Sequence, residues 1–170
     1  QDLINCLTKM GAKITGSGTS IIEIEGVSKL NKVKHSIISD RIVAGTYIIA
    51  AIMLNKDFVV KNIKTEYLKT PIEVLMEMGA NLDIGKNYIK IKSSRSLKGT
   101  KIVTEPYPGF PTDLQAQMMA LMSIVDGKSQ IKEKIFENRF LHVPELNRLG
   151  ADINVKNDTA IINGNRKFKG

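Results

Sequence analysis

The chain has 170 residues, 42% of them apolar and 25% charged, with a net charge of +8, one cysteine and two histidines. That length carries either one domain with a substantial core or two smaller ones. It excludes a disulfide scaffold, because Cys6 has no internal partner, and a membrane-spanning helix, because no run of about 18 uncharged apolar residues occurs.

Positive charge alone does not predict nucleic-acid binding. The lysines are dispersed, the densest group being Lys29, Lys32 and Lys34, and the aromatic set is four Tyr, five Phe and no Trp. Without cations interleaved with stacking rings, a solvated basic surface or attraction for a phosphorylated small molecule explains the charge better. Neither nucleic acid nor a membrane is expected as a partner. Gln1-Asp2-Leu3 shows no basic stretch leading into an apolar one, so a cytoplasmic setting is the expectation.

Repetition organises the chain. Leu7-Thr8-Lys9-Met10-Gly11-Ala12 recurs as Leu75-Met76-Glu77-Met78-Gly79-Ala80 and as Leu146-Asn147-Arg148-Leu149-Gly150-Ala151, at a spacing of about 70 residues. Each copy reads as a helix ending on a glycine. The first is followed by short strands over 13–15 and 21–25, a third strand over 34–38, a long helix over 40–54 and a strand over 58–63. The second leads into strands over 81–84, 88–92 and 101–104, a helix over 113–125 and a strand over 129–135. The third helix, over 141–149, precedes strands over 152–155 and 159–163. Alternation in Ile22-Glu23-Ile24-Glu25 and Tyr88-Ile89-Lys90-Ile91-Lys92 marks strands with one buried face.

Both long helices are apolar almost all round. Ile42, Ala44, Gly45, Ile48, Ile49, Ala51 and Ile52 leave little polar face on one, and Leu114, Met118, Met119, Leu121 and Met122 do the same on the other. The expected fold is therefore α/β (α+β), built from repeated βαβαββ-type units with buried helices and outer sheets in a three-fold arrangement. The unit count is incomplete. Residues 1–38 read as the close of one module, and residues 39–170 as about two units of another.

Candidate chemistry gathers on two loops. Pro108-Gly109-Phe110-Pro111-Thr112-Asp113 places a carboxylate at the mouth of a helix, and Ile135-Phe136-Glu137-Asn138-Arg139-Phe140 places a guanidinium before the next. Opposite charges on pre-set turns suit a site that binds an anion and moves a proton. Local sequence offers Asp113 a second role as a helix cap, and capping is the expected role of Asp40, its counterpart one unit earlier. For Arg139 the alternative is an ordinary surface ion pair with Glu137. His142 is expected at a helix end or core edge, His35 in a strand, and Cys6 as an inert thiol on a buried helix face. Gly16-Ser17-Gly18 reads as a hairpin turn, lacking the helix and lysine of a phosphate loop. One cysteine and two separated histidines support no metal site, and no cofactor is expected.

The two loops, with Asp40-Arg41-Ile42-Val43-Ala44-Gly45-Thr46, resemble the UDP-N-acetylglucosamine enolpyruvyl transferases over essentially the whole chain. The resemblance implies two domains of three repeats facing across a cleft. It implies UDP-N-acetylglucosamine and phosphoenolpyruvate as substrates, in the first committed step of peptidoglycan precursor synthesis. It makes Asp113 the group that manages the hydroxyl proton, Arg139 a phosphoenolpyruvate contact and Ile135 a lining residue of the sugar-nucleotide pocket. The family's general acid, a cysteine or aspartate on a loop of the other domain, has no counterpart here, nor has its Lys-Asn pair. Residues 1–38 would then end the loop-bearing domain, residues 39–170 would belong to the opposing one, and the chain is expected to be inactive without the remainder of its enzyme. The alternatives are a 5-enolpyruvylshikimate-3-phosphate synthase-like enzyme and a non-catalytic repeat module.

Overall fold

A computed structural model describes residues 1–94, 96–165 and 167–169. The chain divides into two compact units, Gln1–Ile38 and Ser39–Gly170. Among the described residues no helix is long and apolar enough to cross a membrane.

The first unit holds α1 (Asp2–Lys9) and the antiparallel pair β1 (Lys13–Thr15) and β2 (Glu23–Glu25). Residues 16–22 connect the two strands, so Gly16-Ser17-Gly18 lies in a hairpin connection, as expected. Three expectations fail here. The alternating run over 22–25 has no buried face, with Ile22 51% and Ile24 70% exposed. Residues 34–38 form no strand; a strand exists only where its backbone groups are paired, and no neighbour among the described residues pairs with them. His35 instead meets Asp2, with Nε2 3.0 Å from Oδ1. Cys6 is half-buried on a helix with no buried residue, so it is not a core thiol.

The second unit carries α2 (Arg41–Met53), β3 (Phe58–Lys61), a 3-10 turn (Thr65–Leu68), α3 (Lys69–Glu77), β4 (Asn81–Ile84) and β5 (Tyr88–Lys92). It continues with β6 (Lys101–Val103), a second 3-10 turn (Thr112–Leu114), α4 (Gln115–Ile124), β7 (Lys128–Lys132), α5 (Val143–Arg148), β8 (Ile153–Lys156) and β9 (Thr159–Asn163). Two sheets result, of order β3-β5-β4 and β6-β7-β9-β8, antiparallel throughout except that β6 and β7 run parallel. Parallel neighbours need a crossover, and α4 supplies it.

Alternation decides which faces are buried. Ile89 and Ile91 of β5 point inward while Lys90 and Lys92 point out, and Ser129 and Ile131 of β7 do likewise between exposed or half-buried neighbours. The helix α2 packs on β3 and β5, α4 packs on β7 and β9, and the helices pack on each other. Ile48, Ile49, Leu114, Met118, Met119, Leu121 and Met122 are all but sealed from solvent. Burial at roughly 1.5–3 kcal/mol per large apolar side chain makes this helix pair the main cohesive element of the unit. The inside-helix, outside-sheet expectation holds, although α2 also exposes an apolar stripe of Val43, Tyr47 and Leu54, with Phe58 stacked on Tyr47.

Close helix approach rests on Gly45. A Cβ there would come within 2.6 Å of Cδ1 of Leu114, a fully buried side chain of the turn that leads into α4. Gly45→Val is therefore expected to cost about 1–3 kcal/mol by overpacking, read as a lower denaturant midpoint. An unchanged midpoint would mean that α2 and Leu114 are not in tight contact.

The repeat has a backbone signature. Gly11, Gly79 and Gly150 have φ of 101°, 101° and 106°. In each case the glycine N–H donates to the carbonyl three residues back and the next residue's N–H to the one five back, as in Ala80 N to Leu75 O at 2.9 Å. This closure satisfies helix-end carbonyls in a left-handed conformation that resists a Cβ. The carbonyl just before each glycine then accepts from a residue further along the chain: Asn31 N to Met10 O, Lys98 N to Met78 O, and Lys169 N to Leu149 O.

Candidate functional site

The site forms where the parallel strands β6 and β7 end and α4 begins, the carboxyl edge at which open α/β sheets bind ligands. Inward alternation continues one step past each strand. After Ile102 the next inward residue is Thr104, and after Ile131 it is Glu133; both are buried, Glu133 to 4% exposure. The strand expected to reach residue 135 stops at Lys132, because Glu133 turns its carboxylate onto its own downstream amides.

That carboxylate is saturated. Oε1 accepts from Thr104 Oγ1 (2.7 Å), Ile135 N (2.8 Å) and Phe136 N (3.2 Å). Oε2 accepts from Thr112 Oγ1 (2.9 Å) and Gln115 Nε2 (2.9 Å). Thr104 Oγ1 accepts in turn from Lys134 N at 2.9 Å. Burial pushes the Glu133 pKa up, but the hydrogen bonds from Thr104, Ile135, Thr112 and Phe136 outweigh it and hold the group below the ordinary glutamate value. A depressed folded-state pKa means stability that is fully present above the unfolded-state pKa and is lost as pH falls through the folded one. Melting temperature is therefore expected to fall on acidification through and below the usual carboxylate range, and less steeply in Glu133→Gln. Equal slopes for the two proteins would deny Glu133 this linkage.

Asp113 sits in the 3-10 turn ahead of α4 and makes no capping hydrogen bond. The capping alternative is thus overturned for Asp113 and holds for Asp40, whose Oδ1 accepts from Ile42 N (2.7 Å) and Val43 N (3.2 Å). The difference is local. Asp40 is extended before α2, whereas the extra 3-10 turn carries Asp113 past the position from which a side chain reaches back to the first amides.

Arg139 pairs with Asp113, not with Glu137. Its Nη2 lies 3.6 Å from Asp113 Oδ1, with the side chains 44% and 57% exposed. That separation is longer than a hydrogen bond, and at such exposure an ion pair is worth about 1 kcal/mol or less. Both groups can exchange this contact for a ligand. The Arg139 guanidinium also stands 5.7 Å from the centroid of the Phe136 ring.

Asp113 and Arg139 line one open groove of about 620 Å³ with Thr112, Gln115, Phe136 and His142. Ile135 lines the adjoining hollow of about 640 Å³, which shares Phe136 through Arg139 with the first. His142 stands just before α5, which spans Val143–Arg148 rather than 141–149, with Pro144 accommodated in its first turn. Burial first, and then the charge of Arg139, lowers the His142 pKa, so the imidazole is neutral near pH 7. The Pro-Gly loop before Asp113 is tethered by Thr70 Oγ1 donating to Pro108 O (2.6 Å) and by Arg41 lying 5.5 Å from the Tyr107 ring centroid.

Glu133, Thr104, Thr112 and Gln115 were not singled out from the sequence. The signal was present in the spacing Ser129, Ile131, Glu133, a period of two that carries an acidic residue onto a buried face.

Comparison with known proteins gives the class first. The fold is similar to that of the enolpyruvyl transferase NikO from Streptomyces tendae, with TM-score 0.86 and 23% identity over 98% of this chain and 40% of that one. It is also similar to EPSP synthase from Acinetobacter baumannii, with TM-score 0.68 and 23% identity over 95% of this chain and 40% of that one. The chain belongs to the EPSP synthase (3-phosphoshikimate 1-carboxyvinyltransferase) family, whose model it matches over residues 1–170. In sequence it is 48% identical over 169 residues to the UDP-N-acetylglucosamine 1-carboxyvinyltransferase of Geotalea uraniireducens, covering 99% of this chain. It spans about 40% of the length of the curated relatives it matches.

Proposed function

We propose that this chain forms part of an enzyme that transfers the enolpyruvyl group of phosphoenolpyruvate to the 3′-hydroxyl of UDP-N-acetylglucosamine and releases phosphate. The acceptor oxygen adds to C2 of phosphoenolpyruvate while C3 gains a proton. The tetrahedral adduct then loses phosphate from C2 and a proton from C3, leaving the enol ether. Asp113 takes the acceptor's hydroxyl proton, and Arg139 holds the phosphoenolpyruvate anion against it. Ile135, in the adjoining hollow, contacts the sugar nucleotide. The proton donor to C3 belongs to the remainder of the enzyme.

The observation that carries this reading is the open pair itself. A carboxylate without a capping duty and a guanidinium stand 3.6 Å apart on one groove, too far to be committed to each other. A proton acceptor and an anion-binding fork at that range can touch one small molecule. The activity for which the sequence relatives are named is the same chemistry.

Under this reading residues 1–38 end the domain that bears the general acid, and residues 39–170 are two units of the facing domain. The exposed stripe on α2 is then covered by a further unit of the longer protein. The setting is the cytoplasm, where a nucleotide-linked sugar and phosphoenolpyruvate meet.

The test is phosphate release by the full-length protein, with phosphoenolpyruvate and either UDP-N-acetylglucosamine or shikimate 3-phosphate. Release with the sugar nucleotide alone supports the proposal. Release with shikimate 3-phosphate alone would favour the activity named by the family model, and release with neither would overturn both.

A further inference from the structure

The contacts of Glu133 divide by oxygen. Oε2 takes Thr112 and Gln115, which flank Asp113 in the chain. Oε1 takes the amides of Ile135 and Phe136, which open the segment that ends at Arg139, and the hydroxyl of Thr104 behind them. The two segments come from opposite ends of the α4 crossover, and Asp113 and Arg139 themselves meet only through a long, half-exposed ion pair. A link that weak cannot hold two loops in register. A buried carboxylate that accepts from both can, because charge-assisted hydrogen bonds are shorter and about twice as strong as neutral ones.

We infer that Glu133 is a positioning residue: its carboxylate binds the Asp113 loop with one oxygen and the Arg139 loop with the other, and so sets the separation of the two reacting side chains. Glu133 borders the hollow that holds Ile135, but its side chain is all but buried and both carboxylate oxygens are taken up by the two loops, so it acts through them and not as a catalytic residue. This assignment rests on the function proposed above for Asp113 and Arg139.

An amide in the same place holds the two loops less firmly. Glutamine offers one acceptor oxygen and one donor NH₂. The backbone N–H groups of Ile135 and Phe136 cannot turn to become acceptors, so the oxygen stays with them. The NH₂ group then faces Thr112 and Gln115, which must turn from donating to accepting and meet a neutral partner in place of a charged one, so the larger loss falls on the Asp113 side. Glu133→Ala removes both attachments.

The experiment compares full-length wild type, Glu133→Gln and Glu133→Ala by amide hydrogen exchange and by steady-state kinetics. Expected in Glu133→Gln is faster exchange over residues 113–116 with protection kept at 135 and 136; in Glu133→Ala both segments speed up while β7 and β9 do not. Turnover in Glu133→Gln falls by about 10-fold or more with little change in KM for phosphoenolpyruvate. If Glu133 acts through Asp113, the double variant Asp113→Asn/Glu133→Gln is no slower than Asp113→Asn alone. A purely structural role predicts additive losses, and additivity overturns the inference. So does unchanged exchange over 113–116 in Glu133→Gln, or normal turnover. Should the wild type show no transfer, the proposed function falls while the exchange pattern still decides whether Glu133 joins the loops. Glu133→Gln keeps the side-chain volume, so the result does not depend on Glu133→Ala folding.

Discussion

Asp113→Asn in the full-length protein is expected to lower turnover by about 10²–10⁴-fold, the usual contribution of a positioned acid or base, while KM for the sugar nucleotide stays within a few-fold. The substitution keeps the shape of the side chain and removes its capacity to take a proton. Stability is expected to change by no more than about 0.5 kcal/mol, because the side chain is 57% exposed and caps no helix. The contrast is diagnostic. At Asp40, where two amides depend on the carboxylate, loss of the cap is a stability defect instead. Near-normal turnover in Asp113→Asn with intact folding would remove Asp113 from the proton-accepting role.

Arg139→Ala is expected to raise KM for phosphoenolpyruvate by roughly 10–100-fold, corresponding to one lost charge-assisted contact, and to affect acceptor binding less. Arg139→Lys should recover only part of the loss, since an ammonium lacks the planar fork that matches a carboxylate or phosphate. His142 gives an independent readout. The positive charge of Arg139 helps hold the His142 pKa down, so its removal should move the imidazole titration upward, measurable by NMR without substrate. An unchanged response to phosphoenolpyruvate would count against the anion-binding role, and an unmoved His142 would place the guanidinium away from the imidazole.

Several features of this protein are legible residue by residue. The Gly11, Gly79 and Gly150 repeats define the helix ends and hence the unit length, because the left-handed closure after each helix excludes most side chains and leaves a visible mark. Helices apolar all round declare themselves as core, and period-two alternation identifies β5. Asp113 and Arg139 are visible too, as charges on Pro- and Gly-set loops. Less legible are features that depend on a partner. Residues 34–38 have strand composition and form no strand, whereas Lys101–Val103, at the same place in the next unit, forms β6 because β7 lies beside it. Cys6 sits on the apolar side of a helix pattern but is half-buried.

Two decisions belonged to tertiary structure alone. Asp40 and Asp113 occupy matching places in the repeat, yet one caps its helix and the other faces a groove, because a single 3-10 turn shifts the second relative to the amides it would have served. And although period-two spacing puts Glu133 on an inward face, its role exists only once Thr104, Thr112, Gln115, Ile135 and Phe136 converge on it. Composition and periodicity dictate which faces leave water, for that depends on each residue's own chemistry. Which charge meets which loop is settled by the crossover through α4, which joins residues about 20 positions apart at distances where hydrogen bonds form.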